Sequence, residues 1–514
     1  MTRLSLSHLR NSPRRHQTVV FWFTVAVAAL IAGLLSFLIG VQQSIWFDEA
    51  HSILLAHQPI DRLIHLAAVD VHPPIYFLVL KAWATFFSWG DVSLRILGAV
   101  MAAALVGAVA LLAKTIFGRR AGVLAAVFVA LSPFIIRYDF ELRMYSLAAI
   151  IVVLATYVLV KAVGTTYEKQ RYWLWLAYAV LVALGMYTLY YTVFIWIGHA
   201  LWLLSSTLRA RRRVISRPAH ELRFGLIAYG FAMVLWLPWL FVFIKQLTNG
   251  ALANITQPLT AINTLSFVSF SFFYQPFGRL SMVQSLLFWV VVIVIVGLVA
   301  YSLRVKQRSP YFSLVAAAVI TPFVILSFLS LVKPLYVERY LVPVVPLFFV
   351  LLAGLCAYAY KVKPVHTNCA TVVLIACCVV GFTQLAQVGN FNFQRNESIV
   401  TRQAVSYIES QCQPGAIIFS NDPYIYIQSL PYLQSDCPFF FYEPSDTLSG
   451  GYAGVSRSSQ QIKSADSIGN PAKIIYAYYD KPAVSIPPIF TQTTKRSYGN
   501  LFIVTYVSEA RAAE

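Results

Sequence analysis

The stretch VVFWFTVAVAALIAGLLSFLIGV forms residues 19–41, and the tetrapeptide WFDE follows it at residues 46–49. The first stretch is uncharged and long enough to cross a bilayer as one helix, since a span needs about 20 apolar residues. Asp48 and Glu49 then lie side by side at the mouth of that span. Ionisable side chains at a membrane boundary cost free energy unless they are hydrated, paired with another charge or required for function. This pair therefore marks a candidate functional site.

The composition of the whole chain is typical of a polytopic membrane protein. Of its 514 residues, 59% are hydrophobic and only 11% are charged, which is far from the balance of a soluble domain. The formal net charge is +19, but the basic residues lie mostly in short loops between apolar segments. This is the positive-inside pattern of membrane proteins. We therefore expect the lipid bilayer as a partner, and no nucleic acid.

Eleven apolar runs predict about eleven transmembrane helices in an all-α membrane domain. The runs cover residues 19–41, 95–117, 121–137, 146–163, 173–188, 190–207, 224–243, 282–303, 312–332, 341–360 and 370–389. Alternate loops are rich in basic residues: Arg119 and Arg120, Lys169 and Arg171, Arg209 with Arg211 to Arg213, Arg304, Lys306 and Arg308, and Lys361 with Lys363. With the N-terminus inside, this pattern places residues 42–94 and 391–514 outside.

The predicted organisation is a basic cytoplasmic tail at residues 1–18, a transmembrane catalytic domain at 19–390 and an extracytoplasmic domain at 391–514. The first outer loop, residues 42–94, contains an apolar run at 75–89 that is too short to span. Short apolar segments of this kind favour helices that lie along the membrane surface.

The segment after residue 390 is polar and contains three runs typical of β-strands, which predict a small α/β domain. These runs lie at residues 416–419, 473–476 and 501–504. Cys412 and Cys437 belong to the same segment. They could form a disulfide in an oxidising compartment, or they could remain two thiols.

The first outer loop contains two candidate chemical sites. Asp48 and Glu49 could provide a general base for an acceptor hydroxyl, with the second carboxylate orienting it or holding a cation. The alternative is local, because Asp48 is also a suitable N-cap for a helix beginning at Glu49. His72 precedes Pro73 and Pro74, a rigid platform for a hydrogen-bond donor or metal ligand, or simply a helix start. A divalent metal is possible, with Asp48 and His72 as candidate ligands, but no spacing requires one.

Two further clusters contain arginines at predicted outer helix ends. Residues 137–145 read RYDFELRMY, in which Arg143 could bind a phosphate through two parallel hydrogen bonds. Asp139 or Glu141 could share the catalytic role of the carboxylates, or Glu141 could form an internal salt bridge with a neighbouring arginine. The other cluster contains Arg339, which is suited to a lipid phosphate or to snorkelling toward headgroups. Since the predicted topology puts all these sites on one side, they indicate a phosphorylated, lipid-anchored substrate and a hydroxyl acceptor.

The same residues resemble a known group of enzymes, the GT-C glycosyltransferases, and more narrowly glycosyltransferase family 39 with its bacterial relatives. That group includes protein O-mannosyltransferases and the lipid A aminoarabinose transferase. The resemblance covers roughly residues 15–360. It rests on the Asp48-Glu49 pair, His72-Pro73-Pro74, Leu131-Ser132-Pro133-Phe134 leading into Glu141-x-Arg143-Met144-Tyr145, and Arg339-Tyr340 with Pro343.

This resemblance implies a GT-C fold, a polyprenyl-phosphate sugar donor and an inverting transfer in one step to a glycan, lipid or protein. Carried over by motif, Asp48 would be the base with Glu49 beside it, and His72 would line the pocket. Arg143 and Arg339 would hold the donor phosphate, with Tyr145 packed near it and Tyr340 beside Arg339. Position 140 is Phe where glutamine is commoner in the family, which leaves its role open.

Two other functions remain possible from sequence alone. A flippase or transporter of a lipid-linked glycan should place polar residues near mid-bilayer, whereas the predicted spans are nearly free of charge in their middles. A membrane scaffold would not explain the acidic first loop. The short loops favour a prokaryotic plasma membrane as the location. The sugar, the acceptor and the oligomeric state do not follow from the sequence.

Overall fold

The computed structural model describes residues 12–208, 218–248, 258–389, 391–392 and 397–508. The chain divides into two compact units. We call them the helical unit (residues up to 38, 95–245 and 252–387) and the mixed unit (residues 39–94, 246–251 and 388–514). The predicted basic loop with Arg209 and Arg211 to Arg213 lies outside the described residues.

The described part of the chain is dominated by α-helices. In chain order they are α1 (Ser12–Gly40), α2 (Phe47–His57), α3 (Ile60–Val69), α4 (Ile75–Phe86), α5 (Asp91–Phe117), α6 (Arg119–Leu131), α7 (Pro133–Asp139), α8 (Tyr145–Gly164), α9 (Glu168–Met186), α10 (Thr192–Leu208), α11 (Pro218–Thr248), α12 (Ala261–Phe273), α13 (Met282–Leu303), α14 (Phe312–Leu329), α15 (Val344–Tyr360), α16 (Pro364–Val388), α17 (Thr401–Gln411) and α18 (Pro423–Ser429). Four of these helices, α7, α11, α16 and α18, begin at a proline, whose fixed φ and missing N–H suit the first turn.

Seven helices in the described residues are long and apolar enough to cross a membrane: α1 from His16, α5, α8, α11 from Ala219, α13, α14 and α16. A bent pair, α6 with α7, would make eight if it counts as one span, and its axis turns by 63° at the break. The proline that opens α7 lacks the N–H that would continue α6. The protein is therefore a multi-pass membrane protein, as predicted.

The predicted number of eleven spans is not confirmed. Helices occupy all eleven predicted positions in the described residues, but α10 and α15 are each 17 residues long, shorter than the usual span. Helix α9 has 19 residues and begins with Glu168, Lys169 and Arg171. These charges shorten the apolar part of α9, so α9 is not among the seven helices that are long and apolar enough to cross a membrane.

Close backbone approaches hold α5 and α12 against the short helix α7 in the helical unit. A Cβ added at Gly98 in α5 would collide with the backbone carbonyl of Asp139, the last residue of α7. Only glycine permits that separation. At the other end of α7, the Ser132 hydroxyl donates to the backbone carbonyl of Ser271 in α12, at 3.0 Å. The break between α6 and α7 is therefore anchored on both sides.

The mixed unit contains a six-stranded sheet in the order β5-β4-β3-β6-β8-β7. Its strands are β3 (Ala416–Ser420), β4 (Phe439–Tyr442), β5 (Gln461–Ile462), β6 (Lys473–Tyr479), β7 (Phe490–Tyr498) and β8 (Leu501–Ser508), and a separate pair is formed by β1 (Phe391–Asn392) and β2 (Glu397–Ser398). Strands β3 to β6 pair in parallel, and β8 pairs antiparallel with both β6 and β7. The predicted small α/β domain is confirmed, with its three predicted strands at β3, β6 and β8. Cys412 and Cys437 are joined by a disulfide, with their Cα atoms 6.2 Å apart.

The first loop belongs to the mixed unit and folds as the helices α2, α3 and α4. The prediction of short helices in this loop is confirmed. Lys81 in α4 donates to the carbonyls of Ala56 at 3.1 Å and Gln58 at 2.9 Å. Those carbonyls end α2 and have no helical partner of their own, so this lysine caps a helix C-terminus, where a positive charge is favourable.

Arg402 in α17 ties the loop after α1 to the C-terminal part of the mixed unit. Its guanidinium donates to the carbonyl of Val41 at 2.7 Å and of Gln43 at 3.0 Å. It also forms an ion pair with Asp91 at 2.6 Å. The backbone N–H of Ile45 donates to the Tyr432 hydroxyl at 2.6 Å. The residues just before Asp48 are therefore held in place by residues that lie far away in the sequence.

Candidate active site

The acidic pair occupies the first turn of α2. The helix begins at Phe47 and its N-cap is Trp46, so the interpretation of Asp48 as the N-cap is wrong. A bulky residue takes that position because Glu49, at the third helical position, accepts a hydrogen bond from the Trp46 N–H at 3.3 Å. Glu49 is fully buried, whereas Asp48 is partly exposed. Both carboxylates are also favoured by the positive end of the helix dipole.

Asp70 joins two histidines beside this turn. Its Oδ2 lies 3.0 Å from Nδ1 of His72 and 3.5 Å from Nε2 of His51. All three side chains are buried. The first distance is a hydrogen bond and the second is a charge contact. We call His51, Asp70 and His72 the His–Asp–His cluster. Pro73 and Pro74 follow His72 directly, and α4 begins at the next residue, which confirms the predicted helix-entry role of the diproline. The role of His72 in substrate binding stays a prediction.

The electrostatic environment of Asp70 favours its ionised form. Burial by itself would raise the pKa of this carboxyl group. The hydrogen bond from His72 and the positive charge of the two imidazoles outweigh burial and hold the pKa of Asp70 well below its ordinary value of 3.8. A buried carboxylate with such partners orients the imidazoles that face it.

The lowered pKa of Asp70 predicts a pH-dependent contribution to stability. Because the folded-state pKa is depressed, ionised Asp70 stabilises the mixed unit above the ordinary pKa. That contribution is lost as the pH falls from about 4 toward the depressed value. We expect Asp70→Asn to lower the melting temperature near pH 6, and the difference from wild type to shrink near pH 3. Thermal unfolding at both pH values measures this. Asp61→Asn, at an exposed position in α3, is the control. An equal drop in melting temperature for Asp70→Asn at both pH values would contradict the predicted pH dependence.

The second predicted cluster lies in the helical unit around the end of α7 and the start of α8. Arg137 Nη1 and Glu141 Oε2 form a buried ion pair at 2.6 Å, which confirms the internal salt bridge that the sequence left open. Arg137 Nε also donates to the Tyr274 hydroxyl at 3.0 Å. The Asp139 carboxylate accepts a hydrogen bond from Ser146 at 2.5 Å. These contacts connect the end of α7 with the turn that leads into α8.

Two arginines from distant parts of the chain converge on one phenol in the helical unit. The positive charges of Arg143 and Arg339 both act on Tyr145, although the two arginines lie 196 positions apart in the sequence. Tyr145 is fully buried, and its hydroxyl has no hydrogen-bond partner among the described residues. Tyr340 packs beside it with ring centroids 6.4 Å apart, and Tyr191 packs against Tyr340 at 4.8 Å.

The structure thus collects the predicted site residues into two clusters, one in each unit. Asp48, Glu49 and His72 lie in the mixed unit. The helical unit holds the others, namely Asp139, Glu141, Arg143, Tyr145, Arg339 and Tyr340. In the helical unit, Arg143, Tyr145, Arg339 and Tyr340 are brought together. In the mixed unit, His72 contacts Asp70. The roles assigned to them, and the predicted meeting of all of them at one site, remain predictions.

Three residues of these clusters escaped the sequence analysis. His51 lies one helical turn after Asp48, a spacing that could have identified it. Arg95 is fully buried at the start of α5, and its guanidinium donates to the Phe140 carbonyl at 2.7 Å. A charge inside an apolar run was the available signal. Tyr191 carried no signal, since it lies in a run of aromatic residues. Among the described residues, no three or more His, Cys, Asp and Glu side chains form a metal-binding group, and the possible metal ligands Asp48 and His72 stay a prediction.

Comparisons with known proteins agree with this architecture. Residues 71–241 match the family model described as dolichyl-phosphate-mannose-protein mannosyltransferase. The structure is similar to that of ArnT from Cupriavidus metallidurans bound to undecaprenyl phosphate, with a TM-score of 0.60 and 12% sequence identity over 95% of this chain and 98% of that one. The apo structure of the same ArnT gives a TM-score of 0.61 and 11% identity over 96% and 98% of the two chains.

A mycobacterial protein, the arabinofuranosyltransferase AftD, is similar over 94% of this chain and 40% of that one, with a TM-score of 0.50 and 14% identity. No curated protein sequence matches the chain significantly. The structural similarities establish a fold, and the family match covers less than half of the chain. Together they confirm the resemblance drawn from the motifs: this chain is a multi-pass membrane protein with the ArnT-like fold of the GT-C glycosyltransferases.

Proposed function

We propose that the chain is an integral membrane glycosyltransferase that moves a sugar from a polyprenyl-phosphate donor to an acceptor hydroxyl. The fold supports transfer chemistry of this general kind. The ArnT structure with undecaprenyl phosphate and the mannosyltransferase family match support a polyprenyl-phosphate donor. The family description alone suggests mannose, and a pentose is the alternative sugar. A glycan, a lipid or a protein could supply the hydroxyl.

The observation that carries this proposal is the environment of Tyr145. A buried phenol hydroxyl with no partner in the described residues costs about 1–3 kcal/mol, and here two guanidinium groups act on it. An anionic ligand with several oxygen atoms would satisfy the hydroxyl and match the arginines at once. Guanidinium groups bind phosphate oxygens in pairs, and the phosphate of a lipid-linked sugar donor is such a ligand.

In the proposed reaction, Asp48 accepts the proton of the acceptor hydroxyl, and the oxygen of that hydroxyl attacks the anomeric carbon of the donor sugar. The bond from that carbon to the phosphate oxygen breaks, and polyprenyl phosphate leaves with the electron pair. Arg143 and Arg339 stabilise the negative charge that develops on the leaving group. A single displacement of this kind inverts the anomeric configuration. No step of this scheme requires a metal.

The ion pair of Arg137 with Glu141 and the hydrogen bond from Ser146 to Asp139 support the donor site indirectly. They hold residues 137–146 in a fixed shape, and Arg143 lies in that turn. Positioning of this kind matters because an active-site group displaced by about 1 Å can cost a factor of 100 in rate. Tyr340 and Tyr191 pack at the same place and limit where the Tyr145 ring can lie.

We place the reaction at the extracytoplasmic face of a prokaryotic plasma membrane, with the C-terminal domain on the same side. The loop charges support this orientation. A lipid tail on the donor would remain in the bilayer while the sugar phosphate reaches the interface, and a sheet domain with a disulfide is typical of an oxidising compartment.

A transporter of a lipid-linked glycan is the alternative. Its best support is a buried histidine, His199 in α10, because ionisable groups inside membrane domains are often functional. Both ring nitrogens of His199 have partners, however, with Thr156 at 3.2 Å and the Tyr178 hydroxyl at 3.0 Å. The Tyr178 hydroxyl also lies 2.8 Å from that of Tyr229. This satisfied network ties four helices together, which favours a structural role.

The decisive experiment uses purified protein in lipid nanodiscs with a polyprenyl-phosphate mannose donor. We expect the protein to release polyprenyl phosphate, and the release to accelerate when a hydroxyl acceptor is added. Proteoliposomes that contain a fluorescent lipid-linked glycan test the alternative. A transporter would expose the label to an external quencher without releasing polyprenyl phosphate. Label movement without donor cleavage would reject the proposed transfer reaction.

A further inference from the structure

A cavity of about 350 Å³ opens in the helical unit where the membrane-spanning helices α5 and α8 end. Thr115 in the last turn of α5, residues at the end of α8 and Tyr311 before α14 line it. Helix α8 begins at Tyr145 and has 20 residues, so it is about 30 Å long, the thickness of a bilayer core. The cavity therefore lies at the opposite end of α8 from Tyr145 and is separate from the candidate active site.

Hydrogen bonds in the loop between α8 and α9 shape one wall of this cavity. The Thr165 hydroxyl accepts from the Tyr167 N–H at 3.4 Å and donates to the side-chain carbonyl of Gln170 at 3.0 Å. The buried guanidinium of Arg171 donates to the Thr165 carbonyl at 2.7 Å. Arg171 also lies 3.3 Å from the Glu221 carboxylate, which neutralises both charges. The wall is thus held by the protein itself.

The groups that line the cavity are mostly hydrogen-bond donors. Among the described residues that line it, Lys161 is the one with a charged side chain. Its ammonium group lies 6.0 Å from the Tyr157 ring centroid and forms no ion pair within the described residues. The other donors are the amide of Gln170 and the hydroxyl groups of Thr166, Tyr167 and Tyr311. One positive charge with several neutral donors matches an anion that has several oxygen atoms, such as a phosphate group.

Exposed aromatic residues locate the cavity at the membrane–water interface. Tyr167 is 74% exposed, and Tyr172 and Trp173, in the first turns of α9, are 60% and 64% exposed. Tyrosine and tryptophan are enriched at the level of the lipid headgroups. Because Tyr167 also lines the cavity, the cavity lies at that level. A phosphate group found there in a membrane is that of a phospholipid.

We propose that this cavity binds the phosphate headgroup of an anionic phospholipid. In the orientation proposed above, the lipid belongs to the cytoplasmic leaflet, which attracts basic residues of membrane proteins through its negative surface potential. The phosphate accepts hydrogen bonds from Lys161, Gln170 and Tyr311, while the acyl chains remain beside α5 and α8. This binding site goes beyond the proposed function and does not depend on it.

Lys161→Gln removes the positive charge and keeps a side chain of similar length. We expect the apparent Kd for an anionic phospholipid to rise by roughly threefold to tenfold. The lower value corresponds to an exposed ion pair, and the higher value approaches a hydrogen bond to a charged group. Lys363→Gln is the matched control, because Lys363 is an exposed lysine after α15 that does not line the cavity.

Gly164→Leu tests the cavity itself. A Cβ added at Gly164 would lie 3.0 Å from the Tyr311 hydroxyl, so a leucine side chain there occupies space between two lining residues. We expect this variant to bind the lipid at least tenfold more weakly. Gly230→Leu is its control, because Gly230 is exposed on α11 and a Cβ there meets nothing within 4 Å.

The measurement is native mass spectrometry of the purified full-length protein, titrated with phosphatidylglycerol and separately with phosphatidylcholine of the same acyl chains. Phosphatidylcholine also has a phosphate group, but its quaternary ammonium group cancels the net charge. Inorganic phosphate, added as a competitor, separates a lipid ligand from a free phosphate. The comparison of the two lipids uses the wild type, so it remains informative if a variant does not fold.

Tighter binding of phosphatidylglycerol than of phosphatidylcholine, weakened in Lys161→Gln and Gly164→Leu but not in their controls, would support the site. Equal binding of the two lipids by the wild type would overturn it, and so would equal affinities in Lys161→Gln and Lys363→Gln. Displacement of phosphatidylglycerol by inorganic phosphate at a comparable concentration would show that the cavity takes a free phosphate, which would overturn the assignment to a lipid.

Discussion

Replacing Asp48 by asparagine should lower sugar transfer by about two to four orders of magnitude, the usual contribution of a general base. Asparagine has nearly the same shape and keeps the first turn of α2, but it cannot accept the acceptor proton. Helix formation should persist because the N-cap interaction belongs to Trp46 and Glu49. Release of polyprenyl phosphate from a polyprenyl-phosphate mannose donor, measured with saturating acceptor, tests this expectation.

The matched control for this variant is Asp61→Asn. Asp61 is exposed in the first turn of α3 and belongs to the same unit, so the chemical change is identical and only the position differs. We expect wild-type turnover from the control. Wild-type turnover in Asp48→Asn, with equal expression and melting temperature, would remove Asp48 from the mechanism.

The second large effect is expected from Arg143→Lys and Arg339→Lys. Lysine keeps the positive charge but cannot form two parallel hydrogen bonds with one phosphate. Hydrogen bonds to charged groups contribute about 1.5–3 kcal/mol, so the apparent KM for the donor should rise by roughly tenfold to a hundredfold. Donor titrations at fixed acceptor concentration measure this rise. Because both residues act on Tyr145, the double variant should lose less than the sum of the two single effects.

Arg223→Lys provides the comparison for these variants, since Arg223 is an exposed residue of α11. Its donor KM should equal that of the wild type. Tyr145→Phe adds a further comparison, because it removes only the hydroxyl that lacks a partner in the described residues. Unchanged donor KM in both arginine variants would show that the phosphate binds elsewhere.

Local patterns in the sequence identified much of the fold. Apolar runs located the membrane helices, and runs of β-branched and aromatic residues located β3, β6 and β8, since both signals depend on neighbours along the chain. The number of spans was less certain for a physical reason. Pro133 divides one apolar run into two helices, and α10 and α15 are shorter than their runs because loops take residues from the ends.

Site residues that belong to a sequence motif could be predicted. Site residues that depend on contacts between distant segments could not. Arg143 and Arg339 were predicted as partners by resemblance, and the structure brings both to Tyr145. His51 was missed because its significance depends on Asp70, which lies beyond the end of α3. That contact leaves no periodic pattern in the sequence. The cap of α2 was assigned wrongly because Trp46 has no capping preference, and the Glu49 side chain fulfils the role.

The joining of the first loop to the C-terminal segment has a consequence for biosynthesis. The hydrogen bond from Ile45 to Tyr432 closes over 387 residues, and the Arg402 contacts with Val41 and Gln43 close over a similar distance. During translation, residues 41–45 are made several hundred residues before their partners Arg402 and Tyr432. Contacts so remote in sequence form slowly. The segment that leads into α2 therefore emerges from the ribosome long before the residues that fix it in the folded protein.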